Sequence, residues 1–279
     1  MPGPSIDLSF VKEYEDDVHT AYQRMGSKCR ATVRSKNNVV GESTTFQKVG
    51  KGTATSKARH GEVPPMNIDH SPVLCALSDH YAGDYIDKLD ELKIAHDEYK
   101  VIVNAGAYAL GRKTDSLIID QATTTTSTEG GSGLISTKRV LAALEVLQDS
   151  DVPMDDGDLY GWMTQHQWAE MLNANSQFTN ADYVNVGEFE NGGFRARDWL
   201  NVKWQIHTGL PGVGTASAEC LIWHKTALGH ASGADVTTDM QWIGPKVAHW
   251  VNSYMSQGAK IVDVQGVVKI PVNDTTPLS

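Results

Sequence analysis

The chain has 279 residues, of which 40% are hydrophobic, and a formal net charge of −10. That length supports one large domain or two modest ones. An acidic surface repels phosphates, which argues against a general nucleic-acid binder. No apolar run approaches the roughly 18–20 residues of a membrane span.

The opening MPGPSIDLSF has neither a basic n-region nor an apolar h-region, so no signal peptide is expected. Ser9 is placed to cap a first helix over Phe10–Met25, where Tyr14, Val18, Ala21, Tyr22 and Met25 recur at helical spacing. Residues 27–65 change character. Thr32, Val33, Val39, Val40, Thr44, Thr45 and Phe46 form strands by propensity, with Asn37-Asn38 and Gly41 as interruptions. The reading is a long hairpin-like excursion, too polar to pack a core alone, with FQKVGKGTATSKARHGE near its tip and Pro64-Pro65 closing it. Long extended loops in compact chains are usually functional or held by a partner. The charge is uneven here. Between Lys28 and His60 lie Lys28, Arg30, Arg34, Lys36, Lys48, Lys51, Lys57 and Arg59, against a single acid, Glu42.

A long helix is expected next, from Asp84 to Leu110, with Tyr85, Leu89, Leu92, Ala95, Tyr99, Ile102 and Ala105 in helical rhythm and Gly111 as its stop. At 1.5 Å per residue it would be about 40 Å long. QATTTTSTEGGSG at 121–133 reads as a flexible low-complexity loop. Ser136–Gln148 is an amphipathic helix, and Leu159–Asn173 starts as strand and becomes helix. Gly187–Gly193 is turn-rich, and Trp199–Thr208 alternates like a strand. Cys220–His224 is another strand, followed by a short helix from Lys225. AKIVDVQGVVKIPV is expected to be a hairpin turning at Gln265-Gly266. Without βαβ regularity, the class is α+β.

The chemical motifs fail on spacing. Gly50-Lys51 is followed by Gly52 where a P-loop needs Ser or Thr, and residue 45 is Thr rather than Gly. GAYALGRKT at 106–114 has Arg112 inserted before the lysine and falls at a helix end, where the dipole repels phosphate. Ten histidines include no HExxH or HxH. Asp155, Asp156 and Asp158 around Gly157 lack the bidentate Glu of a calcium loop, so a turn is favoured. Cys29, Cys75 and Cys220 form no CxxC, and reduced thiols are expected. The seven tryptophans read as core and interface anchors. No catalytic constellation emerges, and neither an enzyme nor a cofactor is expected. A long helix beside a polar excursion that needs a partner fits an assembly subunit.

The run FQKVGKGTATSKARHGEVPPMNIDHSPVLCALSDHYAGDYIDKLDELK, continuing to GAYALGRKTDSLIIDQA, resembles the major capsid protein of tailed bacteriophages. LYGWMTQHQWAEMLNANSQF, GGFRARDWLNVKWQIHTGLPG and the stretch from TALGHASGADV to VQGVVKI agree in kind, so the resemblance spans nearly the whole chain. It implies a Hong Kong 97-like fold. Residues 1–40 would be an N-terminal arm and 41–70 an extended loop. Residues 71–119 would be a peripheral domain whose spine helix covers Asp84–Arg112. Residues 120–244 would form the axial domain, and 245–279 would return to the peripheral domain.

The implied function is a major capsid protein that self-assembles into hexamers and pentamers of an icosahedral head enclosing double-stranded DNA without sequence-specific binding. The alternative is an encapsulin-like compartment shell around cargo. Partners would be other copies of the chain, a separate scaffolding protein and a portal, with room for a decoration protein and no membrane. The location would be the virion capsid, after synthesis in the bacterial host cytoplasm. Lys48, Lys51, Lys57 and Arg59 of the loop are the expected inter-subunit contacts. The candidate acidic partners are Glu13, Glu15, Asp16 and Asp17, with Asp87, Asp90 and Glu91.

Overall fold

The computed structural model describes residues 25–91, 97–131, 133–174 and 197–275. The expected helix Phe10–Met25 and the Gly187–Gly193 loop therefore lie outside the described residues, apart from Met25. The strands are β1 (Arg34–Lys36), β2 (Ser43–Val49), β3 (His70–Ala76), β4 (Ser78–Asp87), β5 (Leu159–Met163), β6 (Arg197–Trp199), β7 (Val202–Ile206), β8 (Ala218–His224), β9 (Leu228–Ile243), β10 (Ala248–Ile261) and β11 (Val267–Val272). The helices are α1 (Lys88–Glu91), α2 (Glu98–Thr123), α3 (Thr137–Asp149) and α4 (Gln165–Ala174). Three sheets run β11-β8-β5-β7-β6, β1-β9-β10-β4 and β2-β3. The α+β class holds. Among the described residues no helix is long and apolar enough to cross a membrane.

Tertiary contacts divide the chain into two units. The larger takes Ser27–Asp79, Lys113–Asp235 and Ser256–Ser279. Its five-stranded sheet is buried on both faces, and the alternation of side chains along each strand says how. Cys220 and Ile222 of β8, with Val268, Ile270 and Val272 of β11, point to the face covered by Val140, Ala143, Leu144 and Leu147 of α3. Leu221 and Trp223, with Val267 and Trp162, point to the other face, where Ile118, Ile119 and Ala122 of α2 pack. Spacings of three and four residues place those α2 side chains on one stripe. Trp162, Trp204 and Trp223 are fully buried in these layers, as core anchors should be. Gly161 pairs with Trp204 across β5 and β7, and a Cβ there would collide with the indole ring.

The smaller unit comprises the described parts of Met1–Gly26, His80–Arg112 and Val236–Met255. The Tyr85 and Trp250 rings pack at a 44° tilt with centroids 4.4 Å apart, and the Lys246 ammonium lies 3.8 Å from the Tyr85 ring centroid. Gly83 admits no Cβ beside Trp250 and Asn252, which brings the strands close there.

Several sequence expectations are corrected. The long helix is displaced along the chain. Asp84 lies in β4, where His80, Ala82 and Ile86 alternate inward, and α2 continues through Gly111 to Thr123. Its 26 residues span about 39 Å. Gly111 does not stop the helix. A Cβ there would lie 2.8 Å from the backbone of Gly26, so the glycine permits a close crossing of two chain segments.

The 121–133 stretch is not a free loop. Residues 121–123 belong to α2. Thr125 Oγ1 donates to the Val267 carbonyl at 2.8 Å, and the Glu129 amide donates to the Lys269 carbonyl at 3.1 Å. The buried Arg139 guanidinium bonds Glu129 at 2.7 Å and the Pro271 carbonyl at 2.6 Å.

The expected 199–208 strand is broken by a two-residue turn, Leu200-Asn201, both at positive φ. The C-terminal hairpin does not form either. β10 and β11 lie in different sheets, and β11 pairs antiparallel with β8, Val267 opposite Trp223. The long β9–β10 pair has no counterpart in the sequence reading. The α3 helix, the β5–α4 strand-to-helix segment and β8 with its short 3-10 turn at Lys225–Ala227 match it closely.

The packing of Gly161 generates a direct test. Gly161→Val should destabilise the unassembled subunit by about 1–3 kcal/mol through overpacking against Trp204. Chemical denaturation measures it, and an unchanged midpoint would contradict the packing.

Candidate subunit interface

The excursion read over residues 27–65 is only partly the β2–β3 hairpin, because the return strand His70–Ala76 follows Pro64-Pro65 instead of being closed off by it, and β1 pairs with β9. The hairpin strands pair antiparallel from Ser43 opposite Ala76 to Val49 opposite His70. The root is anchored. Phe46 and Cys75 are buried with Ala231 and Val262, and the Phe46 ring covers Gly229, where a Cβ would come within 2.7 Å. Beyond the paired strands, the Gly50 amide donates to the Asp69 carbonyl at 2.8 Å. Gly52 lets the two limbs touch, since a Cβ there would lie 2.6 Å from the Met66 sulfur. Gly52 therefore has a packing role in addition to the conformational freedom a glycine brings. Residues 51–67 are exposed throughout, and Val63 and Met66 are apolar among them.

The four predicted loop cations have distinct surroundings. Lys48 is 2.9 Å from Asp263. Lys51 is 2.6 Å from Asp151 and donates to the Ser150 carbonyl at 2.9 Å. The hydrogen bond from Lys51 to Asp151, with the charge of the lysine, holds the Asp151 carboxyl below its usual range. Lys57 donates to the Gly61 carbonyl at 3.2 Å, across a turn where the Gly61 amide bonds Ala58. Arg59 is exposed at that turn. Such solvated pairs contribute little to stability; their value is in placing charge.

Of the predicted acidic partners, Glu13, Glu15, Asp16 and Asp17 lie outside the described residues. Asp87 ends β4 and accepts the Leu89 amide at 2.8 Å, capping α1. Asp90 and Glu91 belong to α1.

The root of the excursion is fixed by a cluster that the motif search missed. Asp115, on α2, is fully buried. Its carboxylate accepts from Ser27 Oγ at 2.6 Å and from the amides of Lys28 and Cys29, each at 3.0 Å. His207 Nε2 is 3.1 Å away, while His207 Nδ1 accepts from the Gly209 amide. An imidazole nitrogen that accepts carries no proton, so Nε2 carries it and donates to Asp115. Burial alone would raise the Asp115 pKa. The hydrogen bonds from His207, Ser27, Cys29 and Lys28 outweigh it and bring the value down to about 2. The ligating atoms of Cys29, Asp115 and His207 lie within 4.8 Å of one another, as a metal site would require. The protonated Nε2 and the amides on Asp115 make the arrangement a hydrogen-bonded lock. Nothing in the local sequence singles out Asp115, because its partners are 86–92 residues away.

The 155–158 segment is the turn expected from its sequence. Asp156 accepts the Asp158 amide at 3.0 Å and contacts His224 Nε2 at 2.7 Å.

The described residues thus combine one sheet packed on both faces with an anchored, exposed hairpin. Comparison with known proteins gives the family. The phage capsid protein family model matches residues 6–273, and the chain belongs to that family. It is a shell-forming capsid protein of the virion. Its fold is similar to the capsid of cyanophage P-SCSP1u, with a TM-score of 0.73 and 16% identity over 97% of this chain and 95% of that one. The Mycobacterium phage Che8 structure matches at a TM-score of 0.71 and 16% identity, covering 96% and 98%. The cyanophage Pam1 capsid matches at 0.72 and 13%, covering 97% and 98%. The Hong Kong 97-like architecture is thus shared at low identity. No curated protein sequence matches the chain.

The Asp115 lock predicts a pH signature. A carboxylate whose folded pKa is depressed stabilises above its unfolded value and loses that contribution as pH falls from about 4 towards 2. Asp115→Asn should cost about 2 kcal/mol at pH 7, and the deficit should narrow below pH 3. Denaturation at both pH values decides it; a deficit that does not change with pH would contradict the lock.

Proposed function

We propose that copies of this chain assemble into hexamers and pentamers of an icosahedral head shell that encloses double-stranded DNA. The observation that carries this reading is the β2–β3 hairpin, whose root is packed and whose 51–67 tip is exposed. A shell closes through many copies of modest contacts. An extended segment laid on a neighbour adds charge and backbone contacts without needing its own core.

In this reading residues 1–40 act as the N-terminal arm, 41–70 as the extended loop and 71–119 as the peripheral domain. Residues 120–244 form the axial domain, and 245–279 return to the peripheral domain. Lys48, Lys51, Lys57 and Arg59 meet acids of neighbouring copies, with Glu13, Glu15, Asp16, Asp17, Asp87, Asp90 and Glu91 as the candidates. A separate scaffolding protein and a portal guide assembly in the host cytoplasm, and a decoration protein can be added outside. The net charge of −10 disfavours adhesion of the packaged DNA to the wall.

Electron microscopy of the purified, concentrated protein tests the proposal. Closed shells of uniform diameter, or hexameric capsomers, are expected. A persistent monomer at high concentration would overturn it.

A further inference from the structure

The hairpin root rests on β9, and His230 of that strand is fully buried. It stands opposite Ser35 of β1 in the parallel pair. On one side of it is Gly229, which the Phe46 ring covers. On the other is Ala231, which packs with Phe46, Cys75 and Val262. One residue further, the Ser232 carbonyl accepts the Val39 amide at 3.0 Å. Residues 229–232 therefore hold β1, the segment after it and the ring that seats the hairpin.

Hydrogen bonds fix the state of the imidazole. His230 Nε2 is 3.1 Å from Gln257 Oε1, which also accepts from Thr114 Oγ1 at 2.8 Å. The Gln257 amide nitrogen faces Asp235 at 3.4 Å, so its oxygen is turned to the ring. An amide oxygen only accepts, so His230 Nε2 carries the proton. Nδ1 is then a bare acceptor, and among the described residues it has no hydrogen-bond partner. Protonating it would put a charge, and an N–H without an acceptor, into the core. The charged groups facing the ring are Arg30 and Asp235. They pair with each other at 2.8 Å, and Ser232 Oγ also donates to Asp235 at 2.8 Å. The residues set beside the ring by β1, β10 and α2 are Ser35, Gln257 and Thr114, all neutral.

We propose that His230 is an acid-sensitive catch for the hairpin root. Charging its ring releases β1 from β9 and unseats Phe46, while the five-stranded sheet, built from other strands, stays folded. The inference concerns the single subunit and stands whether or not shells form. Burial is the main cause that holds the His230 pKa below the ordinary 6.5. The Gln257 bond opposes it, Arg30 adds to it and Asp235 opposes it. A histidine whose folded pKa is depressed stabilises fully above its unfolded value. That contribution is lost as pH falls below 6.5, by up to about tenfold per pH unit. The window lies above the one in which the Asp115 lock weakens.

Hydrogen exchange of the unassembled full chain at about pH 7.5 and about pH 5.5 reads the catch. After correction for intrinsic exchange rates, the amides of residues 34–36 and 229–232 should lose about tenfold in protection at the lower pH. Those of β8 and β11 should keep theirs. His230→Gln, which retains an amide donor and cannot be charged, should remove the loss. Gln257→Glu, which gives the charged ring a carboxylate, should remove it too. An NMR titration of the wild-type His230 ring, assigned by its contact with Gln257, gives a readout that needs neither variant to fold. The ring should stay neutral, protonated at Nε2, down to about pH 5.5. A ring that titrates at its ordinary value would overturn the proposal. So would protection lost equally in wild type and His230→Gln, or lost equally from β8 and β11.

Discussion

The buried carboxylate of Asp115 satisfies a serine hydroxyl, two backbone amides and an imidazole at the point where the chain turns into its first strand. Everything that projects from the core depends on that point. The 3-10 turn at Arg30–Thr32 follows directly, and the Thr32 carbonyl is fixed by the Trp223 indole N–H at 3.2 Å. β1 then pairs in parallel with β9, Arg34 opposite Gly229, and seven residues later β2 begins the hairpin. A buried amide without an acceptor costs about 1–3 kcal/mol, so the lock leaves the chain little freedom to leave α2 elsewhere.

Beyond the root, the energetics reverse. The core layers bury tryptophan and aliphatic side chains on both faces of one sheet, whereas the hairpin tip buries almost nothing in its own chain. Its ion pairs are solvated and weak in isolation. The uneven charge follows the same division. The basic residues of 28–60 concentrate on the hairpin and its approach, while the rest of the chain carries the acidic excess.

The hairpin was legible in the sequence because its polarity, its β-branched residues and its turn signals all agree. α3 and the β5–α4 segment were legible for a similar reason, their apolar spacing being unambiguous. The helix boundaries were not. Tyr85 continues a helical rhythm by coincidence within a strand whose inward residues are His80, Ala82 and Ile86, and Leu89 falls in the short α1. Gly111 carries the composition of a stop signal but serves a close chain crossing. The apparent C-terminal hairpin failed because sheet partners are chosen over long range: Val267 needs Trp223, not Ile261, beside it. The Asp115 lock is likewise assembled from distant segments, and spacing alone cannot reveal it. The loop lysines and arginine stand out in the sequence by charge alone.

A cryo-electron microscopy map of the assembled particle at side-chain resolution tests the central claim, that a rigidly rooted hairpin reaches across to another subunit. The account predicts Ser27, Lys28 and Cys29 still bonded to Asp115, with residues 57–66 of one copy lying against a neighbouring copy. A map in which the tip folds back onto its own chain, or in which the 27–29 segment has left Asp115, would contradict it.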